Sequence, residues 1–153
     1  MRQVHPLVFV GDDADCRIAS SRLAVVHACK FPCHQRAIHP RGVTEDNWLV
    51  FETGFDLYLN IIDPESPLFV PETFHRFLDF AQRQHDTGRR LLVHCNRGES
   101  RSPSLAMLFL AKRLVAISNE SHEAASTEFA RLYPAYSPNS GIRQYLTEHW
   151  SEF

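Results

Sequence analysis

The stretch Leu92–Ser104, LVHCNRGESRSPS, sets one cysteine, two arginines and three serines around a single glycine. Residues 90–95, RLLVHC, predict a buried strand at its start, and residues 102–116 predict a central helix that is apolar almost all round. Pro103 is compatible with the first turn of that helix. Because α/β folds bind ligands at the carboxyl ends of their strands, this junction is a candidate ligand site.

Strand-like and helix-like segments alternate along the rest of the chain, with no internal repeat and no linker. The predicted strands cover residues 7–10, 23–28 and a hairpin formed by WLVF (48–51) and FDLYLNII (55–62). The predicted helices cover residues 12–22, 72–86, 121–132 and 140–149, and residues 29–47 are expected to be irregular. The alternation predicts a three-layer α/β/α sandwich with a mainly parallel central sheet, in a single domain over residues 1–153.

The composition is that of an ordinary globular protein, with 44% hydrophobic and 22% charged residues among 153. The net charge of −2 gives no bulk attraction to nucleic acid or to a membrane, so neither is expected as a partner. We predict no signal peptide and no transmembrane segment. Four cysteines without an export signal are expected to stay reduced, which favours a cytoplasmic location.

The residues that follow the predicted strand at 90–95 can bind an oxyanion and attack it. The loop Asn96–Arg101 can turn its N–H groups inward, because Gly98 permits a sharp backbone and the helix dipole adds positive potential. Arg101 can donate two hydrogen bonds to the anion, and Cys95 as a thiolate can attack it. The simpler interpretation is a structural cysteine beside a solvated arginine, but a helix dipole disfavours a cation at the helix start.

The motif HCNRGESRS, residues 94–102, resembles the signature of the cysteine-dependent protein tyrosine phosphatases. It is most similar to the dual-specificity branch, whose loop commonly has the sequence His-Cys-x-x-Gly-x-Ser-Arg-Ser. A bare Cys-x5-Arg spacing arises in many unrelated chains, whereas the longer match between a buried strand and a buried helix is specific. The matching positions are His94, Cys95, Gly98, Ser100, Arg101 and Ser102.

Two further segments resemble the same family, so the resemblance covers about residues 7–150. YLNIIDPESP, residues 58–67, is similar to the strand and loop that carry the family's general acid, which implies that role for Asp63. Glu65 is the alternative acid, and an aspartate before a proline is also a common turn residue. YPAYSPNSGIRQYL, residues 133–146, is similar to the family's C-terminal Pro-Asn-x-Gly segment.

The resemblance implies a two-step reaction through a phosphocysteine, with no metal or other cofactor. Cys95 attacks phosphorus, and Asp63 first protonates the leaving oxygen and then activates water. Ser102 is implied to stabilise the thiolate as it leaves in the second step, and His94 is implied to support the loop. The residues implied to bind the phosphate are Asn96, Arg97, Gly98, Glu99, Ser100 and Arg101.

The expected substrates are phosphorylated proteins or peptides, dephosphorylated at phosphotyrosine and at phosphoserine or phosphothreonine. Arg97 and Glu99 depart from the usual family loop, and Arg97 either adds positive potential at the rim or points away and pairs with Glu99 or a surface carboxylate. A basic rim would suit the alternative substrates, which are phosphoinositides, inositol phosphates and RNA 5′ phosphates. A phosphate-binding pseudophosphatase is a further alternative, which the intact Cys95 and Arg101 disfavour.

Histidines and cysteines are close together in residues 27–39, which raises the question of a zinc site. The spacing Cys-x3-Cys-His fits no common structural zinc pattern well, so no metal is expected. As in some relatives, Cys29 or Cys33 could instead form a protective disulfide with Cys95 under oxidation, and the sequence leaves this open. The residues of the zinc interpretation are His27, Cys29, Cys33, His34 and His39.

Overall fold

The computed structural model describes residues 1–17 and 22–153, and a six-stranded β-sheet lies at its centre. The strands, numbered along the chain, are β1 (Arg2–His5), β2 (Val8–Gly11), β3 (Leu23–His27), β4 (Val50–Thr53), β5 (Asp56–Leu59) and β6 (Arg90–His94). Their spatial order is β1-β2-β6-β3-β5-β4. The four inner strands are parallel and the two edge strands pair antiparallel, which confirms the predicted mainly parallel sheet.

The strand that leads to the candidate site, β6, lies between β2 and β3. Its residues Leu91–His94 are buried, as are all residues of β3, which is typical of parallel strands covered on both faces. The predicted hairpin is confirmed as β4 and β5. The edge strand β1 has no counterpart in the prediction, because its four residues RQVH contain no apolar run.

Helices flank this sheet. Within the described residues the α-helices are α1 (Gln35–Ile38), α2 (Pro71–Asp86), α3 (Arg101–Lys112), α4 (His122–Leu132) and α5 (Ser140–Glu148). A π-helical segment covers Lys30–His34, and 3-10 helices cover Asp15–Arg17, His39–Arg41 and Trp150–Glu152. None of these helices combines the length and the apolar character that a membrane span requires.

The long helices largely follow the sequence pattern. The bounds of α2, α4 and α5 confirm the predictions to within one residue at each end. α3 ends at Lys112, four residues before the predicted end. The amide of Leu114 bonds to the carbonyl of Phe109, and Val115 takes a positive φ of 49°, so the backbone turns out of the helix there.

Two other predicted segments differ from the structure. In place of a helix over residues 12–22, the described part contains a single 3-10 turn at Asp15–Arg17, and residues 18–21 lie outside the described residues. Residues 29–47, predicted to be irregular, contain three short helical segments. Segments of one turn are too short to show an apolar period in the sequence, so the pattern could not indicate them.

Different elements pack against the two faces of the sheet. One face packs against α2 and α3 in the main hydrophobic core, and α4 and α5 contact α3 from outside. The other face carries Leu23, Val25 and Leu92, and the short helical segments that follow β3 lie beside it. The sheet is therefore the middle layer of the predicted α/β/α sandwich.

Candidate active site

The loop between β6 and α3 turns sharply at Gly98. Cys95 comes directly after β6, and α3 begins at Arg101. Gly98 has a φ of +70°, and a Cβ at this position would lie 3.1 Å from the carbonyl oxygen of Gly11. The Tyr133 hydroxyl donates a 2.9 Å hydrogen bond to the Gly98 carbonyl. The loop is therefore supported from β2 on one side and from the C-terminal segment on the other.

A solvent-connected cavity of about 410 Å³ lies over this loop. Cys95 is 2% exposed and lines the cavity. The Ser102 hydroxyl lies 3.2 Å from the Cys95 sulfur and 3.2 Å from the Gly11 carbonyl oxygen, so its proton can be donated to either atom. The residues that line the cavity are Asp63, Cys95, Asn96, Arg97, Glu99, Ser100, Arg101, Ser137, Pro138 and Asn139.

Arg101 brings a buried positive charge to the same cavity, with only 9% of the residue exposed. Its Nη1 donates to the Ile61 carbonyl at 3.1 Å, and its Nη2 donates to Asn96 Oδ1 at 2.7 Å. Its Nε is buried and makes no hydrogen bond, and it lies 3.9 Å from Asp63 Oδ2. A buried donor without an acceptor is costly, so the guanidinium is suited to bind an additional anion by donating to it.

Asp63 is held at the rim of the cavity by neighbouring polar groups. Its Oδ1 accepts a 2.8 Å hydrogen bond from the Ser100 hydroxyl, which in turn accepts from the Asn139 amide at 2.9 Å. The side-chain amide of Asn139 also donates to the Asp63 carbonyl at 3.0 Å. Glu65, the alternative acid, is exposed and is not among the residues that line the cavity.

Arg97 and Glu99, the two residues that depart from the family loop, contact each other. Arg97 Nη2 lies 2.8 Å from Glu99 Oε2, and the Arg97 side chain is 81% exposed. Of the two arrangements considered for Arg97, the structure therefore has the pairing with Glu99. An exposed ion pair of this kind contributes little stability and leaves little net positive charge at the rim.

His94 lies behind the nucleophile and not in the cavity. It is completely buried, and its Nε2 lies 2.7 Å from Nδ1 of His27. Burial and the neighbouring charge of His27 lower the pKa of His94 to about 4, so its ring is neutral at neutral pH. The position fits a residue that supports the loop from the sheet.

Several contacts at the site have no signal in the local sequence. Asn96 holds the guanidinium of Arg101, and Asn139 holds the loop of Asp63, although neither role follows from the spacing of the motif. The one signal in the sequence for a role of residues near 139 was the Pro-Asn pair of the C-terminal segment. Cys29 and Cys33 do not line the cavity of Cys95, and no disulfide links the described cysteines.

No protein-family model and no curated protein matches this sequence. Solved structures do match over almost the whole chain. A leucine-rich-repeat and phosphatase-domain protein from Entamoeba histolytica has a TM-score of 0.71 at 15% identity, covering 99% of this chain and 90% of its own. The human tyrosine phosphatase-like serine/threonine/tyrosine-interacting protein has a TM-score of 0.71 at 18% identity, covering 99% and 96%.

The dual-specificity phosphatase DUSP15 is a further match, with a TM-score of 0.68 at 18% identity, covering 98% of this chain and 86% of its own. At identities this low the likeness concerns the fold. The chain therefore has the protein tyrosine phosphatase fold in its dual-specificity form, as the motif predicted.

The close packing of α5 against the loop of Asp63 can be tested by substitution at Gly141. A methyl group at Gly141 would overlap the carbonyl oxygens of Pro64 and Ser66, which are backbone atoms and cannot rotate away. We expect Gly141→Ala to lower the free energy of unfolding by about 1–3 kcal/mol, as overpacking does. Arg143→Ala, on an exposed position of the same helix, should change it by less than about 0.5 kcal/mol. Equal effects of the two substitutions in chemical denaturation would contradict this contact.

Proposed function

We propose that residues 1–153 act as a single catalytic domain that hydrolyses phosphomonoesters through a phosphocysteine. The observation that carries the proposal is the meeting of three groups in one cavity. These are the Cys95 sulfur, the Nε of buried Arg101, which makes no hydrogen bond, and the Asp63 carboxylate. A nucleophile, an anion-binding donor and a proton donor are the parts that phosphoryl transfer to a thiol needs.

In the first step the Cys95 thiolate attacks phosphorus, an S–P bond forms and the bond to the leaving oxygen breaks. Asp63, protonated at the start, transfers its proton to that oxygen. The Ser100 hydroxyl already donates to Asp63 Oδ1, so Oδ2 is the oxygen available to carry the proton. Ser100 thereby also fixes the orientation of the carboxyl group.

The remaining phosphate oxygens bind to Arg101 and to the backbone N–H groups of loop 96–100. Nε of Arg101 is buried, makes no hydrogen bond and is the first donor available. Nη2 can exchange its bond with Asn96 for a second phosphate oxygen, which gives the two-donor geometry that arginine favours. These donors stabilise the charge of the transferred group throughout the reaction.

In the second step water attacks phosphorus, and Asp63 removes a proton from that water. The S–P bond breaks and the electron pair returns to Cys95. The Ser102 hydroxyl lies 3.2 Å from the sulfur, a position from which it can donate a hydrogen bond to the departing thiolate. His94 supports this arrangement from behind and touches no reacting atom.

The substrates we propose are phosphotyrosine and phosphoserine or phosphothreonine in proteins. The Arg97–Glu99 ion pair and the carboxylate of Asp63 leave the rim without an excess of positive charge, which disfavours highly charged substrates. A cysteine that is reduced and nucleophilic fits the cytoplasm, which we keep as the proposed location.

A phosphoinositide is the second candidate substrate. One similar structure, at a TM-score of 0.66 and 18% identity, is of PTPMT1 in complex with PI(5)P. The exposed Arg97 would have to leave Glu99 to contact such a headgroup. A binding module without turnover is the third candidate, since one matching protein is named as phosphatase-like. Intact Cys95, Asp63 and Ser102 support turnover instead.

A substrate panel separates these candidates. We expect kcat/KM to be higher for phosphotyrosine and phosphothreonine peptides than for phosphoinositides or a 5′-triphosphorylated RNA. Glu99→Gln removes the ion pair of Arg97 and should therefore reduce the difference in kcat/KM between the peptides and the more highly charged substrates. A phosphoinositide preferred by the unmodified protein would contradict the assignment to proteins. Specific phosphopeptide binding without turnover would leave the binding module.

The nucleophile is tested with p-nitrophenyl phosphate. Cys95→Ser should lower kcat by roughly 10⁴-fold or more, because a serine hydroxyl at this position lacks the thiolate. Binding of inorganic phosphate should remain, since Arg101 and the loop amides are unchanged. Cys29→Ser, at a buried cysteine outside the cavity, is the matched control and should retain turnover. Activity retained in Cys95→Ser would rule out this nucleophile.

The general acid is tested with leaving groups of different basicity. Asp63→Asn should lower kcat by about 10²–10⁴-fold for alkyl phosphates and by much less for aryl phosphates, whose oxygen leaves without a proton. Glu65→Gln serves as the control and should behave as the unmodified protein. A leaving-group dependence that appears in Glu65→Gln and not in Asp63→Asn would transfer the role to Glu65.

A further inference from the structure

A second cluster of reactive side chains lies on the sheet face opposite α3, directly behind the candidate active site. It contains two thiols and two imidazoles, and the four potential ligand atoms all lie within 4.8 Å of one another. Among residues 1–17 and 22–153, it is the one group of three or more histidine, cysteine and acidic side chains close enough to share an ion. Its members are Cys16, His27, Cys33 and His94.

The sheet topology brings these side chains together. His27 and His94 are the last residues of the adjacent parallel strands β3 and β6, and they pair in register, so both rings lie on the same face. Cys33 lies in the helical segment that follows β3, and Cys16 lies in the 3-10 turn that follows β2. All four positions therefore come from the carboxyl end of the parallel sheet.

We propose that these four side chains form a tetrahedral Zn²⁺ site. Two sulfur and two imidazole nitrogen ligands make one of the common structural zinc sets. With Zn–S bonds of about 2.3 Å and Zn–N bonds of about 2.0–2.1 Å, a tetrahedron has S···S edges of about 3.8 Å and S···N edges of about 3.6 Å. The Cys16–Cys33 sulfur distance is 3.8 Å, and Cys16 Sγ lies 3.6 Å from His27 Nδ1.

One edge of the tetrahedron is shorter than ligation requires. His94 Nε2 lies 2.7 Å from His27 Nδ1, which is a hydrogen-bond distance, whereas two nitrogens on one Zn²⁺ are about 3.3 Å apart. A small separation of the two rings replaces this hydrogen bond by two metal bonds. Nδ1 of His27 and Nε2 of His94 already point toward each other, so no change of rotamer is needed.

The surroundings of His27 are those of a metal ligand. Its other ring nitrogen, Nε2, lies 3.2 Å from Asp56 Oδ1, and histidine ligands commonly donate this second N–H to a carboxylate. The Asp56 contact places the ring proton on Nε2 and leaves the lone pair of Nδ1 directed at the cluster. The Tyr58 ring stacks on His27 with the centroids 4.2 Å apart and an interplanar angle of 5°, which fixes the ring plane.

The site favours a soft, compact cation and offers a route for it. Thiolate and imidazole ligands select Zn²⁺ over Mg²⁺ and Ca²⁺, which prefer oxygen. His27, Cys33 and His94 are buried, and a cavity of about 370 Å³ reaches the cluster from the surface beside Arg36 and Ala37. A Cys16–Cys33 disulfide would require the sulfurs to close from 3.8 Å to about 2.05 Å and would not involve the two imidazole nitrogens that face the cluster.

The proposed set shares only His27 and Cys33 with the zinc interpretation from the sequence. His34 Nε2 donates a 2.9 Å hydrogen bond to the Asn47 carbonyl, and His39 is exposed. The new ligands, Cys16 and His94, are distant in sequence from residues 27–39. The site does not depend on the phosphatase reaction, and its test is a binding measurement.

The test uses Co²⁺ as a spectroscopic probe in the reduced, chelator-treated Cys95→Ser protein, which removes the thiol of the other site. We expect one Co²⁺ per chain, with the intense ligand-field bands of a tetrahedral ion and a thiolate-to-cobalt charge-transfer band. Zn²⁺ should displace Co²⁺ and raise the Tm, because it binds the folded state. A weak octahedral spectrum, or no binding, would overturn the proposal.

Further variants in the Cys95→Ser background assign the ligands. Cys16→Ser and Cys33→Ser should each weaken the charge-transfer band and abolish the Zn²⁺-dependent rise in Tm, whereas Cys29→Ser should keep both. Asp56→Asn should lower Zn²⁺ affinity by about 10–100-fold, measured against a chromophoric chelator, with the tetrahedral Co²⁺ spectrum retained. Circular dichroism of each metal-free variant establishes that it is folded. Loss of the band in Cys29→Ser, or its retention in folded Cys16→Ser and Cys33→Ser, would refute these ligands.

Discussion

The guanidinium of Arg101 is a buried positive charge at the N-terminal end of α3, where the helix dipole already provides positive potential. The neutral acceptors of Ile61 and Asn96 and the Asp63 carboxylate, 3.9 Å from Nε, compensate part of this charge, but Nε has no hydrogen bond. A buried donor without a hydrogen bond is costly, and an anion that binds within reach of Nε removes that cost. We propose that a phosphate anion binds in the cavity above the loop, where Cys95 and Asp63 would lie beside it.

One segment distant in sequence, residues 133–139, holds this arrangement rigid. The backbone amide of Ser137 donates to the Glu99 carbonyl at 2.8 Å, and the Tyr133 hydroxyl supports Gly98. Asn139 and Ser100 together hold Asp63. Because none of these bonds uses the donors proposed to bind phosphate, phosphate binding needs little rearrangement beyond the exchange at Arg101. Donors that are oriented in advance are the main source of charge stabilisation in reactions of this type.

Sequence patterns predicted the parts of the molecule that are local. The junction of β6 and α3 was recognisable because the strand, the loop and the helix are consecutive, and Gly98 has a backbone reason to be glycine. The choice between Asp63 and Glu65 depends on Ser100 and Asn139, which are distant in sequence. The cluster of Cys16, His27, Cys33 and His94 could not be predicted for the same reason. Its members come together only because β2, β3 and β6 are adjacent in the sheet.

The central claim is that the phosphoryl group passes through the sulfur of Cys95. It is tested most directly by acid-quenching a single turnover and locating the phosphoryl group by mass spectrometry. The account predicts one transient phosphoryl group on the peptide that contains Cys95, and more of it in Ser102→Ala, in which the departing thiolate loses its hydrogen bond. Turnover with the phosphoryl group on another residue, or with none on Cys95 in either protein, would contradict it.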